Sequence, residues 1–404
     1  MKRRINIGTI KPAVCLAAAL CTAPLYSQTE VRGRNTELQA ATPAGSPVAW
    51  IYVANTAKGS SANEIVAYSA AANGSLTTIA GSPFPENVGS MAVNGKYLMA
   101  ANQTVPDIDA YLMGSDGSLT YKASTSYEEG SGCDDCSTAG QIFFDHTGST
   151  LYLQEFETDE NTEVASFAVV KASGGLTYLG AANTGAFPGL NTAAYFIGND
   201  LYAYTAVNSD CMYYTIDGFK RASSGLLSDI DTTYNLPTPP SGATRYVPYL
   251  SAADPTDHIA FVMQPAEPPG CTAGPQQLAS YTANSSGNLT TTNTAADMPG
   301  TAISEVSDIK MAPSGELLAV AGVQGLQIFH FNGANPITKY TGLLTGDSIQ
   351  QMFWDNNNHL YAISQASGKL FVFTITPTSF EQAPGSPYTV SSPQDIIVQP
   401  LPRY

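Results

Sequence analysis

Apolar and polar positions alternate along most of the chain, and the alternation comes in modules. The second strand of each module is plain in Ile51-Tyr52-Val53-Ala54-Asn55, Tyr97-Leu98-Met99, Leu151-Tyr152-Leu153, Leu201-Tyr202-Ala203-Tyr204 and Leu360-Tyr361-Ala362-Ile363. Fainter copies stand at Ile259-Ala260-Phe261-Val262 and Leu317-Leu318-Ala319-Val320. Their starts lie 46, 54, 50, 58, 58 and 43 residues apart. Four strands repeated at such a period predict a β-propeller, here of seven blades.

The first strand of a module, strand a, is read in Ser90–Val93, Gln141–Phe144, Asp308–Met311 and Gln350–Trp354. A turn rich in Asp, Asn and Gly leads to strand b, and strand c alternates as in Ile65-Val66-Ala67-Tyr68 or Leu370-Phe371-Val372-Phe373. The turn from c to d repeats most literally. Asn73-Gly74-Ser75-Leu76-Thr77 is matched by Asp116-Gly117-Ser118-Leu119-Thr120, by Gly174-Gly175-Leu176-Thr177 and by Ser286-Gly287-Asn288-Leu289-Thr290. Blades six and seven put Asn335-Pro336-Ile337-Thr338 and Pro377-Thr378-Ser379-Phe380 in its place. Asp395–Gln399 reads as a strand a with no strand b behind it, and Ile51–Asn55 as a strand b with no strand a before it. The last strand is therefore expected to complete the first blade and leave no open edge.

Composition places this all-β fold in a context. Residues 1–28 carry a basic start (Lys2, Arg3, Arg4, Lys11) and a short apolar run from Ala13 to Leu20, the pattern of a secretory signal. Residues 29–48 read as a flexible lead-in and 49–404 as the propeller. Without residues 1–28, 13 Lys and Arg face 33 Asp and Glu, a net charge of −20. That excludes a nucleic-acid partner, which needs a basic footprint, and no later segment is long and apolar enough to span a bilayer. The expected product is exported, periplasmic or extracellular, and monomeric, with a small molecule or an extracytoplasmic protein as partner.

Four cysteines lie beyond the signal. Cys211 and Cys271 fall in the b–c loops of consecutive blades, and Cys133 and Cys136 in one connection between blades. An even count in an exported chain suggests disulfides. Cys211–Cys271 with Cys133–Cys136 is the pairing that neighbouring blades allow; a zinc site would need more distant loops to converge. Metal is not otherwise expected. The acidic runs at Glu128, Glu129, Asp134, Asp135 and at Glu155, Glu157, Asp159, Glu160, Glu163 could offer Ca²⁺ oxygens, but neither has a calcium-loop spacing.

The chain carries no nucleophile elbow, zinc-protease helix, P-loop or dinucleotide fingerprint. His146, His258 and His359 fall in or beside a–b turns and His330 within a strand c, so all four read as structural. In a propeller the b–c and d–a loops share one face around the mouth of a central channel, which strand a lines. The first residues of strand a there are Ser90, Gln141, Asn191, Arg245, Asp308, Gln350 and Asp395, with Glu305 just before one of them. Strand-b tips such as Asn55 and Asn102 stand nearby. Gln141, Gln350, Asp395, Asn55 and Asn102 are the candidate ligand-binding residues.

Tyr52-Val53-Ala54-Asn55, the Gly-x-Leu-Thr turns and Gly-Ser-Pro-Phe at 81–84 together resemble the YVTN-type, lactonase-like seven-bladed propellers. The resemblance covers about residues 49–400, and that family includes the propeller type of 6-phosphogluconolactonase. It implies lactone hydrolysis at the channel mouth by charged residues, with Arg245 polarising the carbonyl and Glu305 or Asp308 activating water. Two readings follow. One is an exported scaffold that binds a ligand or protein on the loop face, favoured by the missing histidine base. The other is a lactone hydrolase, a carboxylic-ester hydrolase working without a cofactor.

Overall fold

The computed structural model describes residues 45–56, 63–102, 104–127, 139–156, 162–183, 194–210, 213–269 and 271–402. The signal segment and most of the lead-in, together with Cys133, Cys136 and Cys211, lie outside the described residues. Every regular element among the described residues is a strand, and the strands form seven antiparallel sheets. In six of them strands a to d follow one another in sequence order. The seventh is closed as the sequence predicts: Pro393–Pro400 pairs with Ala49–Thr56, from Ala49 opposite Pro400 to Asn55 opposite Pro393.

Strand b is the buried centre of each blade, which is why its pattern is the strongest in the sequence. Leu317–Gly322 and His359–Ser364 are buried at every position. A strand flanked on both sides within its sheet, and covered by neighbouring blades on both faces, reads as a continuous apolar run. Strand d at the rim is the opposite case: Ser379–Gln382 is exposed throughout.

The repeated residues hold adjacent blades together. The Tyr52 hydroxyl donates to the Gly117 carbonyl of the next blade at 2.9 Å, Tyr152 to Gly225 at 2.7 Å and Tyr204 to Gly287 at 3.0 Å. The tyrosine of strand b and the glycine of the following c–d turn are therefore two halves of one latch. Gly287 has φ +85°, and a Cβ there would lie 2.7 Å from Ile230 and from the Tyr202 ring. Glycine serves both the left-handed turn and the close approach.

Gly-Ser-Pro-Phe and Gly-Ser-Pro-Tyr also acquire a role. They interrupt strand d in blades one and seven, so that Leu76–Thr78 and Phe84–Pro85 both pair with Asn63–Ala70, and Ser379–Gln382 and Tyr388–Thr389 both pair with Lys369–Thr376. Inside each break a serine hydroxyl replaces the missing ladder partner. Ser82 accepts from the Ala67 amide at 2.9 Å and Ser386 from the Val372 amide at 2.8 Å.

Blade six differs in one detail from the sequence reading. Its c–d turn lies at Gly333 and Ala334, and Asn335–Thr338 already belongs to a strand d that runs from Asn335 to Thr345. Gly333 at φ +61° permits a two-residue connection that leaves Asn335 paired with Asn332.

Candidate functional site

The strands a surround a central channel of about 910 Å³. Successive channel-facing residues of a strand are two positions apart, so the wall is built in layers. One layer holds Ser90, Gln141, Asp308, Gln351 and Asp395. The next, two residues on, holds Ala92, Phe143, Tyr195, Lys310, Phe353 and Ile397. A polar ring thus lies above a mainly aromatic and aliphatic one, with a single lysine in the lower ring.

The polar ring is also a belt. Each of four side chains accepts the backbone N–H of strand a in the following blade. Asp395 accepts from Met91 at 2.7 Å, Ser90 from Ile142 at 3.2 Å, Asp308 from Met352 at 2.7 Å and Gln351 from Ile396 at 2.9 Å. Strand a is innermost, so its channel-side N–H groups have no ladder partner, and a buried donor left unpaired is costly. The belt satisfies those donors and fixes the spacing of the blades.

Asp308, Lys310 and Tyr195 form the charged core of the channel. Lys310 Nζ lies 3.1 Å from Asp308 Oδ1 and donates to the Tyr195 hydroxyl at 2.7 Å. It also stands 5.3 Å from the centre of the Tyr195 ring. Burial pulls the Lys310 pKa down, but the Asp308 charge and Tyr195 outweigh it and hold the ammonium above the usual lysine range. Asp395 behaves differently. Burial pushes its carboxyl up to about 6, against hydrogen bonds from Gln351, Met91 and Ile396 and the charge of Lys310. Two carboxylates in one wall therefore have different environments, one of them ion-paired and the other poised near neutrality.

Of the residues singled out in the sequence, Ser90, Gln141, Asp308, Gln350 and Asp395 line this channel. Gln350 sits at its edge: its Oε1 accepts from the Gln365 amide at 2.7 Å, while Gln351 makes the belt bond. Arg245 is not on the channel wall. It is stacked 5.9 Å from the Tyr214 ring, at the start of the long strand Arg245–Ala253, which reaches the wall only at Ala252 and Ala253, beyond a one-residue bulge between Pro248 and Ser251. Glu305 is exposed outside the wall. Asn102 closes a local turn through the Thr104 amide at 2.9 Å, and Asn55 donates to Glu64 at 3.1 Å. Asn191 and the acidic residues 128–135 and 157–160 lie outside the described residues.

Sequence reasoning did not single out Lys310, Tyr195 or Gln351. Lys310 was visible as a lone cation in an apolar strand, Asp308-Ile309-Lys310-Met311, two residues from an acid on the same face. Tyr195 belongs to a strand a of only two residues, Tyr195–Phe196, too short to be recognised by alternation. His146, His258 and His359 sit in or beside the a–b turns, and His330 lies within the strand c Gly325–Asn332. His359 Nδ1 is 2.7 Å from Asp355 Oδ2 and His258 Nδ1 is 3.2 Å from Asp254 Oδ2, each aspartate also capping its own turn. Among the described residues no cluster of three or more His, Cys, Asp or Glu could hold a metal ion, and no helix is long and apolar enough to cross a membrane.

No protein-family model matches the sequence, and no curated protein matches it. Solved structures do match. A candidate 6-phosphogluconolactonase from Bacteroides uniformis is 13% identical with a TM-score of 0.63, over 87% of this chain and 99% of that one. A second, from Bacteroides fragilis, is 11% identical with a TM-score of 0.62, over 89% and 100%. The chain has the fold of the lactonase-like seven-bladed propellers. The periplasmic gluconolactonase of Pseudomonas aeruginosa agrees, at 14% identity and a TM-score of 0.63, over 88% of this chain and 99% of that one. Identities this low speak for the lactonase-like fold and leave the chemistry to the channel itself.

Proposed function

We propose that this lactonase-like propeller binds a small hydroxylated molecule in its central channel, entered from the b–c and d–a loop face. The observation that carries the reading is the layered wall. A ring of amide, hydroxyl and carboxyl groups stands over Phe143, Phe353 and Tyr195, a combination that offers both hydrogen bonds and flat apolar faces to one ligand. Export supports a ligand met outside the cytoplasm. It rests on the signal-like residues 1–28 and on Cys271, which is disulfide-bonded; Cys211 in the neighbouring blade's loop is the partner we propose.

The test is ligand binding by calorimetry with and without a plug. Gln141 is exposed at the ring, so Gln141→Trp narrows the channel without touching the core. Binding lost in this variant, with thermal unfolding unchanged, supports the reading. Binding that survives the plug places the ligand elsewhere.

A second reading is lactone hydrolysis, favoured by the Asp395 carboxyl at about 6 in the field of Lys310. Ionised Asp395 takes a proton from water as the oxygen attacks the lactone carbonyl, and Lys310 stabilises the developing oxyanion. The ring C–O bond then breaks, and the proton passes from Asp395 to the leaving alkoxide to give the hydroxy acid. In this reading Asp308 keeps Lys310 charged and in place. Asp395→Asn is expected to lower turnover of an aromatic or sugar lactone at least 100-fold in a pH-stat. A flat trace for the unmodified chain across the lactone panel removes this reading.

A further inference from the structure

The charge balance of the channel wall deepens the proposed function and rests on the same reading, that the ligand sits in the channel. Among the described residues that line it, Lys310 is the one lysine or arginine. Its ammonium is not idle. Asp308 Oδ1 at 3.1 Å neutralises it and the Tyr195 hydroxyl at 2.7 Å takes a second of its three hydrogens. The Lys310 side chain is only 22% exposed, so both contacts are largely shielded from water. His146, the remaining basic residue on the wall, is held 2.8 Å from Asp200 Oδ1.

Three carboxylates line the channel: Asp145 is paired with Arg221 at 2.6 Å, which leaves Asp308 and Asp395 to stand against this one neutralised cation. Both are buried, at 7% and 4% exposure, and both are fixed by backbone N–H groups of the next blade. Above the Asp395 pKa of about 6 the core of the wall carries one net negative charge. Phosphate and carboxylate ligands are normally received by free Arg or Lys, by helix N-termini or by nests of backbone N–H groups. The described residues contain no helix, and the N–H groups of Met91, Ile142, Met352 and Ile396 are already taken by the side chains of the belt. What the wall does offer is uncharged: amides at Gln141 and Gln350, the Ser307 hydroxyl, and the Phe143 and Phe353 rings. Carboxylates serve as strong acceptors for hydroxyl groups but repel an anion.

We propose that the channel selects neutral polyhydroxylated ligands, sugars or their lactones, and rejects the phosphorylated and carboxylated forms of the same molecules. Selection is by charge. The Asp308–Lys310 pair is the element that sets it, and breaking the pair converts the channel toward anions.

Matched pairs test this at pH 7.5: glucose with glucose 6-phosphate, galactose with galactose 1-phosphate, and glucose with glucuronate, each followed by saturation-transfer NMR and calorimetry. The neutral member is expected to bind at least tenfold tighter than its charged twin. Asp308→Asn leaves an acceptor for the Met352 amide and frees the Lys310 charge, so it should narrow or reverse that ratio. Asp395→Asn is the second variant, and it should shift the ratio in the same direction if Asp308→Asn does not fold. A phosphorylated sugar that binds the unmodified chain as tightly as its neutral twin overturns the selection while leaving the channel reading intact. Ratios unmoved by both variants overturn the assignment to Asp308 and Asp395. No binding by any member overturns the channel reading itself, and the selection with it.

Discussion

Gly287 shows how a single residue couples two blades. Its φ of +85° and the 2.7 Å distance from a built Cβ to the Tyr202 ring mean that any side chain meets both backbone strain and a wall. Gly287→Ala is expected to cost about 2–4 kcal/mol, read as a lower midpoint in denaturant. Tyr204→Phe removes only the hydroxyl that donates to the Gly287 carbonyl, and about 1 kcal/mol is expected there. Three carboxyls, Asp395 buried and Glu86 and Asp217 half-buried, give a pH signature. Burial and the Asp109 charge push Glu86 up to about 7, burial and the Asp229 charge push Asp217 up to about 7, and burial pushes Asp395 up to about 6. Each folded value lies above the unfolded one of 3.8 for Asp or 4.5 for Glu, so the folded state holds its protons more tightly. The stabilisation is complete below pH 4 and is lost as pH rises through 6 and 7. The melting temperature should therefore be higher at pH 5 than at pH 8. Asp217 Oδ2 is buried without a hydrogen-bond partner, so Asp217→Asn should stabilise the chain at pH 8 by roughly 2 kcal/mol after allowance for partial exposure, and by nothing near pH 4. A melting temperature that is flat from pH 5 to 8 would count against all three assignments.

At the scale of the strand, what the sequence discloses depends on how a strand is covered. Strand b is buried on both faces, so Leu360-Tyr361-Ala362-Ile363 and its relatives are visible as apolar runs without any structure. The c–d turns are visible because positive φ demands glycine. Strand a is harder to read, since one of its faces meets a channel and the other a neighbouring blade, and its polar residues serve both. Asp308 and Asp395 stand out as acids in apolar strands. The belt bonds they make, to Met352 and Met91, join residues 44 and 304 positions apart and leave no local trace. Arg245 illustrates the other limit. Counting residues from the start of a strand fails when the strand begins before the wall and a bulge adds one residue, and Arg245–Ala253 reaches the wall only at Ala252 and Ala253. The Lys310–Tyr195 contact, across 115 positions, joins blades that only the ring brings face to face. A belt bond and an exposed bond at the rim should also differ experimentally. Ser90→Ala leaves the Ile142 amide without its side-chain acceptor, a cost of about 1–3 kcal/mol, whereas Ser228→Ala, whose hydroxyl bonds the Lys220 carbonyl at an exposed position, should cost less than about 0.5.

The described blades form a ring closed by one antiparallel pair, in which Ala49 stands opposite Pro400. Both chain directions therefore leave the closing pair at the same end. Heat works on all the blades together, and the closing pair is then one sheet among seven. Tension applied through the two ends acts otherwise. It loads the hydrogen bonds of the pair one at a time, beginning at Ala49–Pro400 and running toward Asn55–Pro393, like a zip rather than a rivet. A propeller that withstands a high temperature should thus open at low force when pulled from its ends in an optical trap. Joining those ends and cutting the chain in a rim turn between strands c and d would transfer the load to another strand pair. The unfolding force would then change while the melting temperature hardly moved.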